Sequence, residues 1–148
     1  LKTVEIFADG GCRGNPGPGG YGVILKYNGH IKELSGGEKD TTNNKMELMG
    51  VIVAFEALKF PCKVLVFTDS NYVVKAFNDK WIEKWLKNKW RGSSGLVKNR
   101  ELWERLLKAI EGHDITWTWV KGHSGHPENE RCDELANLFM DKLQGKGV

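Results

Sequence analysis

Two aspartates stand out by position. Asp9 ends the alternating segment 3–9, TVEIFAD, and Asp69 follows the short apolar run 63–68, KVLVFT. Each falls at the carboxyl end of a predicted strand, where sites collect in open α/β sheets. If those strands pair in parallel, the two carboxylates lie side by side and repel. One pKa then rises unless a cation joins them. Converging ligands that offer only oxygen suit Mg²⁺ or Mn²⁺ rather than Zn²⁺.

Further candidates carry two readings each. Glu47 sits among Met46, Leu48 and Met49, and a carboxylate in an apolar stretch needs a partner. The spacing Asn44-x-x-Glu47 also fits a helix capping box. Asp133 lies in ENERCDELA, where Glu128, Glu130 and Glu134 are equally the acids expected near a helix N-terminus. His123, in the glycine-rich segment KGHSGHPEN, suits a proton shuttle or a plain surface position. Grouped with His126 and Cys132 it lacks a fourth zinc ligand and any common zinc spacing. The run Gly14 to Gly20 has no GxxxxGK[ST] pattern and leads into a strand, which excludes a phosphate-binding P-loop.

Charge is unevenly spread. The chain carries +3 overall, but residues 75–108 hold ten Lys/Arg and four acids, a net +6 against −3 elsewhere. That is the footprint of polyanion binding. Trp81, Trp85 and Trp90, half of the six tryptophans, interleave there with Lys80, Lys84, Lys87 and Lys89. Aromatics and cations on one element make a platform for a nucleic-acid backbone. The same tryptophans serve equally to pack that helix onto a core.

These residues need a scaffold. At 148 residues the chain is one domain, long enough to bury a core without disulfides or metals as staples. With 40 % apolar and 28 % charged residues, disorder and fibrous repeats are excluded. No apolar stretch approaches the ~20 residues needed to span a bilayer. No charged segment followed by an apolar one opens the chain, so no secretory signal is expected. Cys12, Cys62 and Cys132 show no paired spacing. Free thiols fit a reducing compartment, so a cytoplasmic location is expected.

Segments 3–9, 20–27 and 30–37 read as strands, the last two joined by an Asn28-Gly29 turn. The glycine-rich stretch before them reads as a loop. From Thr42 the apolar period becomes helical, with Thr42, Asn43 and Asn44 all suited to cap it and Pro61 to stop it. Then follow a strand at 63–68, helical pieces over 70–108 broken at Gly92-Ser93-Ser94-Gly95, a strand at 114–120 and a helix from Pro127 to Leu143. This order predicts an α/β fold with a mixed sheet covered by helices.

The segments EIFADGGCRGNPGPGGYG, TTNNKMELM, FTDSNYV, VKNRELW and WVKGHSGHPENERCDELA, with the Trp/Lys-rich stretch between them, cover nearly the whole chain. In this order they resemble the bacterial type 1 ribonuclease H family. The resemblance implies that family's fold, with a five-stranded sheet of three antiparallel strands followed by two parallel ones. It implies one catalytic domain over 1–143 and a short flexible tail over 144–148. It implies hydrolysis of the RNA strand of RNA–DNA hybrids, leaving 3′-hydroxyl and 5′-phosphate ends.

The family's four acids fall on Asp9, Glu47, Asp69 and Asp133, around two Mg²⁺ ions for which Mn²⁺ substitutes. Two metals roughly 4 Å apart suit in-line attack on a phosphodiester. The resemblance places the family's mobile histidine at His123, for proton transfer or product release. Cys12, Asn15, Asn43, Asn44 and Asn71 match its minor-groove contacts to 2′-hydroxyls. Thr42 and Asn99 match a DNA-phosphate site, although Asp40 stands where a basic residue is expected. Trp81 and Trp85 match the DNA-strand channel, with Trp90, Lys84, Lys87 and Lys89 in the adjoining basic segment. A monomer acting on the hybrid, away from membranes, is expected. The alternatives are a DNA-directed nuclease of the same fold and a hybrid-binding module without catalysis.

Overall fold

The structure is a computed structural model that describes residues 1–122 and 126–146. Three long strands open it: β1 (Lys2–Cys12), β2 (Gly17–Tyr27) and β3 (His30–Thr41). Asn28 and Gly29 both have positive φ, 48° and 78°, as the tight turn between Tyr27 and His30 requires. The strands run well past their expected ends. Gly10, Gly11 and Cys12 pair with Tyr21, Gly20 and Gly19, so most of the glycine-rich stretch is ladder rather than loop.

Helix α1 (Asn43–Glu56) follows, capped by Thr42, whose side chain accepts from the Lys45 amide at 3.3 Å. It ends five residues before Pro61, ahead of strand β4 (Cys62–Thr68). Helices α2 (Asn71–Asn78) and α3 (Trp81–Lys87) come next, separated by Lys80 in the left-handed region. The expected break near residue 92 is a small hairpin, β5 (Arg91–Gly92) and β6 (Gly95–Leu96). Helix α4 (Arg100–Ala109), strand β7 (Asp114–Trp119) and helix α5 (Pro127–Leu143) complete the order.

The main sheet runs β3-β2-β1-β4-β7. β1 pairs antiparallel with β2 and parallel with β4, and β4 pairs parallel with β7. This is the predicted mixed sheet, and both of its faces are covered. Val4, Ile6, Ala8, Val64 and Val66 pack against Leu48, Ile52 and Phe55 of α1 and the fully buried Trp103 of α4. On the other face Phe7 and Ile24 pack against Cys132 of α5, with Phe67 stacked on Phe7 at 5.0 Å. Among the described residues no helix is long and apolar enough to cross a membrane.

Candidate active site

The parallel ladder of β1 and β4 ends at the pair Ala8–Thr68. One residue further, Asp9, still paired in the β1–β2 ladder, and Asp69, just past the end of β4, stand side by side. Glu47 reaches the same point from α1. It can do so because residue 10 is glycine: a Cβ there would meet the Met46 carbonyl carbon at 2.6 Å and the Glu47 nitrogen at 2.7 Å. Carboxylate oxygens of Asp9, Glu47 and Asp69 lie within 4.8 Å of one another. Asp133 arrives from α5 on the opposite face and shares a hydrogen bond with Asp9.

Glu47 is therefore no capping residue. Thr42 caps the helix, and Glu47 is only 9 % exposed, turned inward with the apolar residues around it. Asn44, the cap that the spacing suggested, lies on the exposed first turn.

Crowding like charges in a buried place favours their protonated forms. Burial first, then the charges of Asp69 and Asp133, push the Asp9 pKa up to about 8, and only the Gly10 amide, donating at 2.9 Å, opposes this. Burial and the charges of Asp9 and Asp69 hold Glu47 well above the usual carboxylate range, partly offset by the Ser70 hydroxyl. Glu47 Oε2 is buried with no hydrogen-bond partner among the described residues. A hard divalent cation meets every one of these conditions: it takes oxygen ligands, cancels the repulsion and satisfies the unpartnered oxygen. A small cleft leads to the group, lined by Asp9, Asp69 and Asp133 with His126, Asn129 and Glu130.

Cys12, Asn15 and Asn43 are brought to one edge of the molecule. The half-buried Cys12 thiol faces the carbonyls of Gly14, Gly17 and Thr41 at 2.7–3.3 Å, and Asn15 Oδ1 accepts from the Asn43 amide at 3.1 Å. Asn43 and Asn44 are the exposed first residues of α1, with Thr42 as their cap. Asn71 opens α2 just beyond Asp69 and is exposed. Asn99, with φ 61°, precedes α4 and donates to the Tyr72 hydroxyl at 3.2 Å.

The tryptophans divide. Trp81 and Trp85 are half-buried, and Lys84, Lys87 and Lys89 are exposed around them. Trp90 is only 5 % exposed, under the Arg100 guanidinium at 5.4 Å, so it buttresses the platform and presents little surface to a ligand. Trp85 rings contact Trp81, Trp90 and Trp103, at 6.3, 6.1 and 5.3 Å. Core packing and platform are thus one structure, graded from inside to outside. His123 lies outside the described residues.

Sequence reasoning passed over several residues here. Ser70 caps α2, its hydroxyl accepting from the Val73 amide at 3.3 Å, and also bears on Glu47. Its place next to Asp69 was the available signal. Trp119 donates from Nε1 to the Asp69 carbonyl at 3.0 Å. Asn137 donates to Asp133, and the i, i+4 spacing on one helix face could have revealed it.

The RNase H family model matches residues 1–140. The chain is 56 % identical to the ribonuclease H of Hydrogenovibrio crunogenus over 146 residues, which cover 98 % of this chain and 100 % of that one. It is 62 % identical to the ribonuclease H of Proteus mirabilis over 136 residues, 91 % of this chain and 85 % of the relative. Among solved structures it is similar to LC9-RNase H1, at 35 % identity and a TM-score of 0.86 over 96 % of this chain and 74 % of that one. LC11-RNase H1 in complex with an RNA/DNA hybrid superposes with a TM-score of 0.72 at 25 % identity, over 95 % of this chain and 99 % of that one. With these matches and a convergent set of four carboxylates, the chain belongs to the ribonuclease H family.

Proposed function

We propose that this protein is a metal-dependent endonuclease that hydrolyses the RNA strand of RNA–DNA hybrids, leaving 3′-hydroxyl and 5′-phosphate ends. The observation that carries the reading is the convergence of Asp9, Glu47, Asp69 and Asp133 where the parallel ladder of β1 and β4 ends. These four would hold two Mg²⁺ ions, with Mn²⁺ as a substitute. Bound there, such ions supply an activated water and neutralise charge on the leaving oxygen.

The protein's own groups do the rest. Ser70 and Gly10 hold Glu47 and Asp9 in place. Cys12, Asn15, Asn43, Asn44 and Asn71 read 2′-hydroxyls along one strand, which duplex DNA lacks. Trp81 and Trp85 receive the deoxyribose strand, with Thr42 and Asn99 on its phosphates, and Lys84, Lys87 and Lys89 supply long-range attraction. His123 takes up or delivers a proton as product leaves. The protein acts as a monomer. Its three free cysteines fit the reducing cytoplasm.

The test offers end-labelled hybrid, double-stranded RNA and double-stranded DNA, each with Mg²⁺ and with EDTA. RNA cut only in the hybrid and only with metal supports the reading. Cleavage of duplex DNA would make the protein a DNA-directed nuclease of the same fold. Tight hybrid binding with no cleavage under any divalent metal would make it a binding module.

A further inference from the structure

Arg13 stands at the start of the β1–β2 loop, next to Cys12 and two residues from Asn15, yet its side chain points away to α5. Nη1 donates to Asp141 Oδ1 at 2.6 Å and to Gln144 Oε1 at 2.7 Å. Nη2 donates to the Asn137 carbonyl at 3.3 Å and to Asn137 Oδ1 at 3.2 Å. The far end of the same amide, Nδ2, donates to the Asp133 carbonyl at 2.9 Å and to Asp133 Oδ1 at 3.3 Å. An unbroken hydrogen-bonded chain therefore runs from the loop to one of the four carboxylates.

The direction of that chain matters. An amide presents an oxygen at one end and an NH₂ at the other. The guanidinium has only donors, so it claims the oxygen of Asn137. That leaves the NH₂ facing Asp133, the end that a carboxylate requires. Without Arg13 the amide is free to turn and offer its oxygen to the carboxylate, which is repulsive. Groups that orient a metal ligand from behind in this way set metal affinity, at about 10- to 100-fold per partner lost.

We propose that Arg13 and Asn137 form a relay that positions Asp133 and thereby sets the affinity of the site for its divalent cation. Both are positioning residues. This rests on the reading of Asp133 as a cation ligand. The relay also ties the loop that follows Cys12 and carries Asn15 to the metal end of the site.

The experiment is calorimetric titration of the intact, metal-free protein with Mg²⁺, in the absence of nucleic acid. The variants are Asn137→Ala, Arg13→Met, the double substitution, Asp133→Asn and Arg131→Met. Arg131→Met is the structural control. Arg131 anchors the same helix through Glu33 and Glu134 but takes no part in the relay. Mg²⁺ affinity should fall about tenfold in Asn137→Ala and less in Arg13→Met. The double variant should be no weaker than Asn137→Ala alone, because Arg13 acts through the amide. Arg131→Met should keep wild-type affinity even where its melting temperature drops.

Unchanged affinity in Asn137→Ala and Arg13→Met would overturn the relay, as would an equal fall in Arg131→Met. Unchanged affinity in Asp133→Asn would instead remove Asp133 from the ligand set. If either relay variant fails to fold, the other gives the same readout at its own magnitude.

Discussion

Gly22 and Cys132 meet backbone to backbone: a Cβ on the glycine would lie 2.1 Å from the cysteine's carbonyl oxygen. Gly22 stands opposite Asp9 in the β1–β2 ladder, and Cys132 immediately precedes Asp133. The missing side chain thus lets α5 lie deep enough on the sheet to bring Asp133 to Asp9. Gly22→Ala should push the helix outward. Overpacking of this kind costs about 1–3 kcal/mol, and cleavage should fall more than tenfold because a carboxylate is displaced with the helix. Urea denaturation and hybrid-cleavage rates measured on the same preparation check both parts. An alanine variant with wild-type rate would show that Asp133 does not depend on the depth of α5.

Replacing Asp9 with Asn should separate binding from catalysis. Cleavage of the hybrid should be lost, while affinity for it is kept or improved, since one negative charge facing the phosphates is gone. Gel-shift and single-turnover assays in parallel would report this. Near-normal cleavage by Asp9→Asn would mean that the acid cluster is not the catalytic centre.

The cluster also makes stability depend on pH with a definite sign. Asp9 is pushed up to about 8 in the folded, metal-free state from the ordinary aspartate value of 3.8. Between those values the unfolded chain has released this proton and the native state keeps it. Stability is therefore fully present at the acidic end and falls as pH rises toward 8, by at most about 1.4 kcal/mol per pH unit for one such group. Glu47, raised for the same reason, adds to the slope. Urea melts in EDTA from pH 5 to 8 should show the decline. Asp9→Asn should flatten it, and saturating Mg²⁺ should also flatten it by favouring the charged forms. A metal-free protein equally stable at pH 5 and pH 8 would contradict this account of the site.

Neutralising Lys84, Lys87 and Lys89 together should act on encounter rather than chemistry. All three are exposed, and none reaches the carboxylates through a hydrogen bond among the described residues. KM should rise, kcat should stay nearly unchanged, and the salt dependence of binding should weaken by roughly two to three counterions. Lost kcat with an unaltered salt slope would place the segment in the active site instead.

Local sequence determined a good deal of this protein. The period-two pattern of residues 3–9 and the apolar run 63–68 were enough to mark two strands and to put Asp69 just past the second, although β1 runs on beyond Asp9 to Cys12; Asn28-Gly29 sufficed for the turn. The order of strands and helices carried the mixed sheet, and the uneven charge marked the basic segment. Those signals are local, because the side-chain period and the turn chemistry act between near neighbours.

Only the tertiary structure decided the rest. The glycines from Gly10 to Gly19 read as loop. Gly10 and Gly19 are ladder positions with no room for a side chain beneath Met46 of α1, and Gly20 and Gly22 have none beneath Ala136 and Cys132 of α5. Glu47 had the spacing of a cap, but Thr42 caps the helix and burial turns the carboxylate toward Asp9. Trp90 has the same composition around it as Trp81 and lies in the core. Asp133 was one acid among four near a helix start until the packing of α5 set it against Asp9. Which like charges are forced together depends on strand pairing and helix depth, and those are set by contacts between segments far apart in the chain, Asp9 with Glu47, Asp69 and Asp133.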